Sequence, residues 1–402
     1  MKFDSLENIE LNSSAEVITS RIFHAAGYNV PQYTIAEFPP SKLVPDPSAT
    51  IYDDSGFKKP LTQEKLEEYL LFLPQTEAGK LRASAGKILE GDVRGNFSFS
   101  GRRKNDPEDL VNHLDRREIR ALRIFASWLN NNDMRESNTL DVIRYENGTQ
   151  TLTHYLIDFN SSLGAAAKGP KPPMFGHEYM ADYGETTKAF FGLGLWEKPW
   201  QKRWREAGEQ VDQSPAVGYF DNRYFDPGEY KTQLPYFAFK DLTLADGFWA
   251  AKIILAFTDE DIRTIVKMGQ YSNAADAGYI AKTLIERRDL LGQYWFRKAN
   301  PLDNFEINGN KFVFDDLAVK HNFVPQAQRE YQAQVIGKSG GRGTRITTLD
   351  SKSAEFDLEN WLDEYEEVHL LIRSQHPQNR DWGSFVLVKV SRDGVLGILH
   401  QD

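Results

Sequence analysis

Three side chains with hard oxygen donors, Asp133, Asn138 and Asp158, are candidates for phosphate chemistry. Four residues separate Asp133 from Asn138, and Asp158 follows after a longer segment. Carboxylate and amide oxygens are the ligands that Mg²⁺ prefers, and proteins often hold Mg²⁺ through one or two carboxylates together with substrate phosphates. Whether these residues form one site depends on the elements that position them.

A helix is predicted directly before Asp133. Its apolar residues recur at three- and four-residue steps and form one stripe: Ile119, Leu122, Phe125, Ala126 and Leu129. The stripe ends at Asn130-Asn131-Asn132, residues that favour caps and turns over a helix interior. Asp133 is therefore expected in a loop that begins where the helix ends.

A β-hairpin is predicted directly after Asn138. Its two strands are Thr139–Tyr145 and Gln150–Ile157. Asn147-Gly148 between them is a strong signal for a two-residue turn, because both turn residues need positive φ. With that turn, Asn138 falls opposite the residue before Asp158. The loop that carries Asp133 leads into the same end, so all three candidates are expected to converge there.

The ordered combination of Asp133-x4-Asn138, a short hairpin and Asp158-Phe159 resembles the catalytic loop and metal motif of the protein-kinase-like superfamily. Locally it is similar to HipA-type and CotH-type bacterial kinases. The resemblance implies that Asp133 is the catalytic base, that Asn138 and Asp158 are metal ligands, and that Mg²⁺ and ATP are the cofactors. The sequence departs from the usual pattern at Asn131-Asn132, where His-Arg is usual, and at Asn160, where Gly is usual.

The first forty residues are predicted to form a strand, a helix and a second strand. The helix is expected from about Ser14 to Ala26, and the second strand at Tyr33–Phe38. This is the order of a small kinase lobe around its phosphate-binding lysine. By the same resemblance, Lys2 matches that lysine and Glu16 matches the carboxylate that holds it.

Glu16 also has a purely structural interpretation. Ser13-x-x-Glu16 is a capping box, in which the glutamate satisfies a backbone N–H at the start of a helix. Both interpretations remain open at this point. A kinase small lobe also has two strands and a covering loop before its lysine, whereas one residue precedes Lys2. Either the sequence is an incomplete version of a longer protein or it works without that cover.

Three domains are expected: residues 1–100 as a truncated small lobe with an insertion, 101–298 as a mainly helical large lobe, and 299–402 as a β-rich accessory module. The third contains hairpin signals at Asn308-Gly309 and Asp393-Gly394. The glycine-rich segment Lys338–Gly343 lacks the spacing of a Walker phosphate loop and is interpreted as a flexible connector.

Composition excludes several classes of function. The 402 residues carry a formal net charge of -10, which disfavours general nucleic-acid binding. There is no cysteine, so disulfides and thiolate catalysis are excluded. No apolar run approaches the length of a membrane span, and no signal peptide is visible, so a cytoplasmic location is the default expectation. An exported or envelope location stays open if the N-terminus is incomplete.

The sequence therefore predicts an α+β protein with a kinase-like two-lobe fold: a truncated small lobe, a helical large lobe and a β-rich C-terminal module. The expected activity is Mg²⁺- and ATP-dependent phosphoryl transfer to an unknown acceptor, a protein or a small molecule. The alternative is a non-catalytic kinase-like protein that acts as a binding partner or scaffold. It is motivated by the missing covering loop and by the large C-terminal module.

Overall fold

The computed structural model describes residues 1–53, 55–104, 106–166, 169–192, 196–208, 214–339, 342–375 and 382–400. Helices and strands are mixed along the chain, which confirms the α+β class. Within the described ranges, every helix is either too short or too polar to span a bilayer. The chain divides into two compact units, one formed by Met1–Lys240 with Phe257–Arg287 and the other by Asp241–Ala256 with Arg288–Asp402.

The N-terminal part of the first unit contains short strands around one long helix. In chain order these elements are β1 (Lys2–Phe3), α1 (Leu11–Ala25), β2 (Tyr33–Phe38), β3 (Thr50–Tyr52), β4 (Lys58–Pro60), α2 (Gln63–Leu70), β5 (Leu81–Gly86) and β6 (Asp92–Gly95). β1, β5 and β2 form an antiparallel sheet in that order. Helix α1 packs on this sheet, and most of its residues are buried.

The middle of the chain is built from helices and two hairpins. In order the elements are α3 (Arg117–Arg120), α4 (Leu122–Leu129), β7 (Thr139–Glu146), β8 (Thr149–Leu156), β9 (Ala165–Ala166), β10 (Gly169–Pro170), α5 (Tyr183–Phe191), α6 (Pro199–Ala207), α7 (Phe237–Lys240), α8 (Leu244–Ala256), α9 (Asp259–Lys267) and α10 (Ala274–Lys298). The apolar stripe before Asp133 thus forms two consecutive short helices, α3 and α4.

The predicted hairpin is confirmed, including its register. β7 and β8 pair antiparallel from Thr139 opposite Leu156 to Glu146 opposite Thr149. Asn147 and Gly148 form the turn with φ angles of 51° and 80°, which is the positive-φ geometry that the Asn-Gly pair favours.

A buried carboxylate holds the first strand against helix α1. Asp4 accepts hydrogen bonds from the backbone N–H groups of Asn12 and Ser13, both at 2.8 Å, and so caps the helix from outside it. The Arg82 guanidinium lies 3.3 Å from Asp4 and donates to the Gly269 carbonyl at 2.7 Å. This network joins β1, α1, β5 and the end of α9.

The start of α1 corrects the sequence prediction. The helix begins at Leu11, after Glu10 in the left-handed region with φ of 72°. Ser13 therefore lies inside the first turn, and its hydroxyl donates to Asp4. The capping-box interpretation of Ser13 and Glu16 is wrong, because Ser13 lies inside the helix, Asp4 already accepts from the Ser13 N–H, and the Glu16 carboxylate pairs with Lys2.

The division into two compact units has no boundary near residue 100, where one was expected between the first two domains. Phe23 of α1 lies 5.4 Å from the Phe159 ring and 6.1 Å from the Phe125 ring, measured between centroids. The residues assigned to the first two predicted domains therefore share one aromatic core. The division near the expected third domain lies at Arg288, inside helix α10, and the second unit also includes α8.

The second unit is β-rich, as expected, and has its own core. Its remaining elements are β11 (Leu302–Asn308), β12 (Lys311–Asp316), α11 (Leu317–Lys320), β13 (Tyr331–Ser339), β14 (Arg342–Ser351), β15 (Glu355–Asp357), α12 (Glu359–Glu364), β16 (Glu367–Ser374), β17 (Val386–Ser391) and β18 (Gly394–His400). One antiparallel sheet has the order β11-β12-β15, and the other has the order β14-β13-β16-β17-β18. Both predicted hairpins are present, as β11–β12 and β17–β18.

The predicted connector at residues 338–343 is mostly wrong. Lys338 pairs with Gly343 and Ser339 with Arg342, so both arms belong to the long strands β13 and β14. Gly340 and Gly341 lie outside the described residues. Long-range pairing with β16 extends β13 up to Lys338, which the local composition does not reveal.

We expect Asp4→Ala to lower the free energy of unfolding by roughly 3–5 kcal/mol, because Arg82 then loses its buried ion-pair partner and α1 loses its cap. Urea unfolding followed by circular dichroism measures the loss. Asp46→Ala is the control, because Asp46 is exposed and bonds only within its own turn to Ser48, so it should leave stability nearly unchanged. Equal losses in the two variants would contradict the structural role of Asp4.

Candidate functional site

The end of the β7–β8 hairpin brings the predicted residues together. The Ile157 N–H donates to the Asn138 carbonyl at 3.0 Å, so Asn138 lies beside the residue that precedes Asp158, as the register predicted. Asp158 has a φ of 64°. A non-glycine residue in the left-handed region is uncommon, and such positions concentrate at functional sites.

Lys2 bridges two carboxylates at this place. Its Nζ lies 3.0 Å from Oε2 of Glu16 and forms a second ion pair with Asp158. The Glu16 side chain is fully buried, whereas the side chains of Lys2 and Asp158 are 32% and 39% exposed. A buried glutamate thus holds a lysine whose side chain is partly exposed.

Asp133 and Asn138 form the second half of the site. The Asn138 amide donates to the Asp133 carbonyl at 2.9 Å and to Oδ2 of the same residue at 3.2 Å. Arg135 Nε lies 3.1 Å from Oδ1 of Asp133, without the alignment of a hydrogen bond. The amide nitrogen of Asn138 is therefore engaged inside the loop, and its carbonyl oxygen is the atom suited to a ligand.

Electrostatics link the two halves. Burial raises the pKa of Glu16, opposed first by the Lys2 charge, and the Asp158 charge adds to the rise. Burial also raises the pKa of Asp133, opposed first by Arg135, and Asp158 again adds to the rise. Asp158 is thus close enough to act on both carboxylates, and the three acidic groups belong to one neighbourhood.

The structure also places Tyr33 at the site, which the sequence analysis did not predict. Burial raises the pKa of its phenol, and the Glu16 and Asp158 charges contribute further, which places the hydroxyl beside both carboxylates. The ring packs edge-on against Phe159, with centroids 6.1 Å apart. A tyrosine in a predicted strand carries no local signal of this role, because its neighbours are far away in sequence.

Lys171 is the second addition. Its side chain is buried, and its Nζ donates to the carbonyls of Asn130 at 2.6 Å and Ser161 at 2.7 Å. Burial lowers its pKa to about 7, although the Asp133 charge opposes that shift. A lysine among prolines and glycines resembles an ordinary surface-loop residue, so the sequence offers no sign of its burial.

The donor set suits a hard cation carried on phosphates. Glu16 Oε1 and Asp133 Oδ1 are buried oxygens without a hydrogen-bond partner in the described part of the chain. Asp158 contributes a partly exposed carboxylate, and Asn138 contributes an amide oxygen. Among the described residues, no group of three or more His, Cys, Asp or Glu side chains suited to a metal ion occurs.

Comparisons with known proteins do not identify a family for this chain. No protein-family model matches the chain, and no curated protein matches it. Among solved structures, the chain is similar to the crystal structure of a Helicobacter pylori proinflammatory kinase, CtkA, at 11% sequence identity and a TM-score of 0.34. The match covers 71% of this chain and 84% of that chain.

Replacing Asp133 should stabilise the protein. Because its folded-state pKa is raised, ionisation of Asp133 costs stability above the ordinary carboxyl range, and this cost disappears as the pH falls below that range. We expect Asp133→Asn to unfold at a higher temperature than the parent at pH 7, and the gain to vanish near pH 3. Calorimetry across that pH range measures it.

Asp109→Asn is the matched control with the opposite sign. Burial raises the pKa of Asp109, but hydrogen bonds from the Arg103 N–H, Arg116 and His113 outweigh this and lower it to about 2. Its ionised form therefore stabilises the fold above the ordinary carboxyl range, and that stability is lost as the pH falls toward 2. Asp109→Asn should unfold earlier than the parent at pH 7. If Asp133→Asn also unfolded earlier than the parent at pH 7, this would contradict the raised pKa of Asp133.

Proposed function

We propose that the protein transfers a phosphoryl group from Mg²⁺-bound ATP to an acceptor hydroxyl, as a kinase-like phosphotransferase. The observation that carries the proposal is the Lys2 ammonium, held by the buried Glu16 and paired with Asp158 at the end of the hairpin that also presents Asp133 and Asn138. A lysine positioned by a glutamate next to a metal-binding aspartate is the arrangement that protein kinases use for phosphoryl transfer. The resemblance to HipA-type and CotH-type kinases is part of the proposal.

Each side chain has a role that follows from its chemistry. Lys2 offers a point charge to phosphate oxygens, and Glu16 holds that charge in place. Asp133 orients the acceptor hydroxyl and accepts its proton, a task that a raised pKa assists. The Asn138 hydrogen bond to Asp133 keeps the carboxylate oriented. Catalysis of this kind depends on positioning and charge neutralisation.

Asp158 and Asn138 are the residues that would hold Mg²⁺. When bound there, the cation would neutralise charge on the phosphates and orient them. Lys2 and Glu16 would contact the nucleotide end of the site. The partly exposed carboxylate of Asp158 and the amide oxygen of Asn138, which accepts no hydrogen bond from the described residues, support this part of the proposal, because both are hard oxygen donors.

A second candidate function is non-catalytic binding of a partner by a kinase-like protein. The observation that favours it is the direct ion pair between Lys2 and Asp158. That contact joins the candidate phosphate-binding cation to the candidate metal ligand, so each group already has a partner. The two candidates differ in one measurable property, the stabilisation of the folded protein by Mg²⁺ and ATP together.

We expect millimolar ATP with Mg²⁺ to raise the melting temperature, because a ligand that binds only the folded state stabilises it by about 2.7 kcal/mol at one hundred times its Kd. Asp158→Ala should abolish this shift, since the metal ligand is lost. Asp46→Ala, far from any candidate residue in sequence and exposed, should keep it. No shift in the parent protein would favour the binding function. A full shift in Asp158→Ala would contradict the metal assignment.

Asp133→Ala separates binding from chemistry. It should keep the Mg-ATP shift, while phosphoryl transfer to water or to an acceptor falls by roughly 10²-fold or more, because a positioned base is lost. Release of radiolabelled phosphate from ATP provides the measurement. Turnover equal to that of the parent would exclude Asp133 as the base.

Lys2→Met tests the phosphate contact. We expect ATP affinity, measured by calorimetry with Mg²⁺ present, to fall about tenfold or more, which corresponds to roughly 1.4 kcal/mol. Glu16→Gln should weaken binding in the same direction, because Lys2 then loses its buried anchor. Lys59→Met is the control, since Lys59 pairs with Asp53 on the surface and should leave affinity unchanged. If Lys2→Met binds as tightly as the control, this end of the chain does not bind phosphate.

A further inference from the structure

One buried ammonium connects the two loops of the candidate site. Lys171 Nζ donates to the Asn130 carbonyl at 2.6 Å and to the Ser161 carbonyl at 2.7 Å. Asn130 ends helix α4 three residues before Asp133, and Ser161 lies three residues after Asp158. The same side chain therefore contacts both segments at equal sequence distance from the two candidate aspartates.

The backbone of Lys171 is also held near the two loops by a hydrogen bond. The Lys171 N–H donates to the Gly164 carbonyl at 2.7 Å, directly after the short β9–β10 pairing. Gly164 has a φ of 84°, and a Cβ there would lie 2.6 Å from the Gly218 carbonyl carbon. Only glycine allows this close approach, so the residue whose carbonyl accepts the Lys171 N–H cannot carry a side chain.

Burying a lysine costs free energy, and hydrogen bonds to its ammonium offset part of that cost. Burial lowers the pKa of Lys171 to about 7, opposed first by the Asp133 charge. The two carbonyls that it serves belong to irregular backbone, at the left-handed end of α4 and in the loop after Asp158. Buried carbonyls without a partner cost free energy, and Lys171 supplies the partner for both loops.

The charge on Lys171 also acts on the candidate base. It lowers the pKa of Asp133, although burial, the largest influence, raises that pKa. Lys171 is thus linked to Asp133 electrostatically and to the Asp133 and Asp158 loops by hydrogen bonds. It touches neither aspartate among the contacts of the described residues, so it acts through the backbone and through its field.

We infer that Lys171 is a positioning residue that locks the loop carrying Asp133 to the loop following Asp158. The coupling of the loops is a property of the fold itself. Its catalytic consequence rests on the proposed phosphoryl transfer, since the distance between a base and a metal ligand then sets the rate. Loss of the lock should loosen both loops together.

Hydrogen exchange of two backbone amides tests the lock without any activity. The Asn131 N–H donates to the Ala126 carbonyl and the Leu163 N–H donates to the Leu129 carbonyl, both at 2.8 Å, so each reports on one loop. The variant Lys171→Met keeps a side chain of similar length and removes the hydrogen-bond donors. In this variant, both amides should exchange at least about tenfold faster. Lys171→Arg, which keeps charge and donors, should restore most of the protection.

Lys198→Met is the matched control, because the Lys198 side chain pairs with Glu178 in the same unit, and among the described residues it bonds to neither loop. It should leave both amides unchanged. If Lys171→Met does not fold, Lys171→Gln, which keeps an NH₂ donor, takes its place. Unchanged protection at both amides, or faster exchange at only one, would overturn the inference.

Kinetics extend the test to the proposed function. In Lys171→Met, kcat should fall about tenfold or more while KM for ATP changes by less than about twofold. A parent that neither binds Mg-ATP nor transfers phosphate would overturn the proposed function alone, since the exchange data decide the loop lock separately.

Discussion

The site depends on the buried carboxylate of Asp4. A strand of two residues has few backbone hydrogen bonds to hold it, and Lys2 lies on such a strand. Asp4 helps to hold it, because it caps α1 at Asn12 and Ser13 and pairs with the buried Arg82. The cap sets the distance between β1 and α1, and Lys2 meets Glu16 one turn further along the helix. The ion pair that supports the proposed function therefore follows from a second, deeper ion pair.

The buried and neighbouring carboxylates of the site lower the stability of the fold, which a merely structural loop would avoid. Burial raises the pKa of Glu16 and of Asp133, and the nearby Asp158 charge adds to both rises. The charges of Lys2 and Lys171 oppose these rises, Lys2 at Glu16 and Lys171 at Asp133. Strain of this kind, together with the left-handed backbone of Asp158, is typical of regions that trade stability for function.

Local patterns predicted most elements that stand near the candidate residues. The Asn147-Gly148 turn determined the hairpin register, and with it the convergence of Asn138 and Asp158. Lys2 and Glu16 were paired by resemblance, and the structure places them in contact. Contacts between distant segments could not be read in this way. Asp4 with Arg82, Tyr33 beside Glu16, and Lys171 between two loops join residues whose local sequences resemble an ordinary strand, helix or loop. The boundary expected near residue 100 stays a prediction, and the aromatic core that crosses it appears only in three dimensions.

The closed ion pair between Lys2 and Asp158 bears on how ligands would enter the proposed site. A cation that approaches Asp158 alone has to compete with an ammonium already in place. A polyphosphate that approaches Lys2 alone meets Glu16 and Asp158, two carboxylates of its own sign. If both bound together, Lys2 would exchange Asp158 for the phosphates and Asp158 would exchange Lys2 for the cation, so that each protein charge would keep a partner. In the proposed function, the ion pair thus favours the nucleotide and its metal as one ligand over either component alone, and it occupies both groups until that ligand binds.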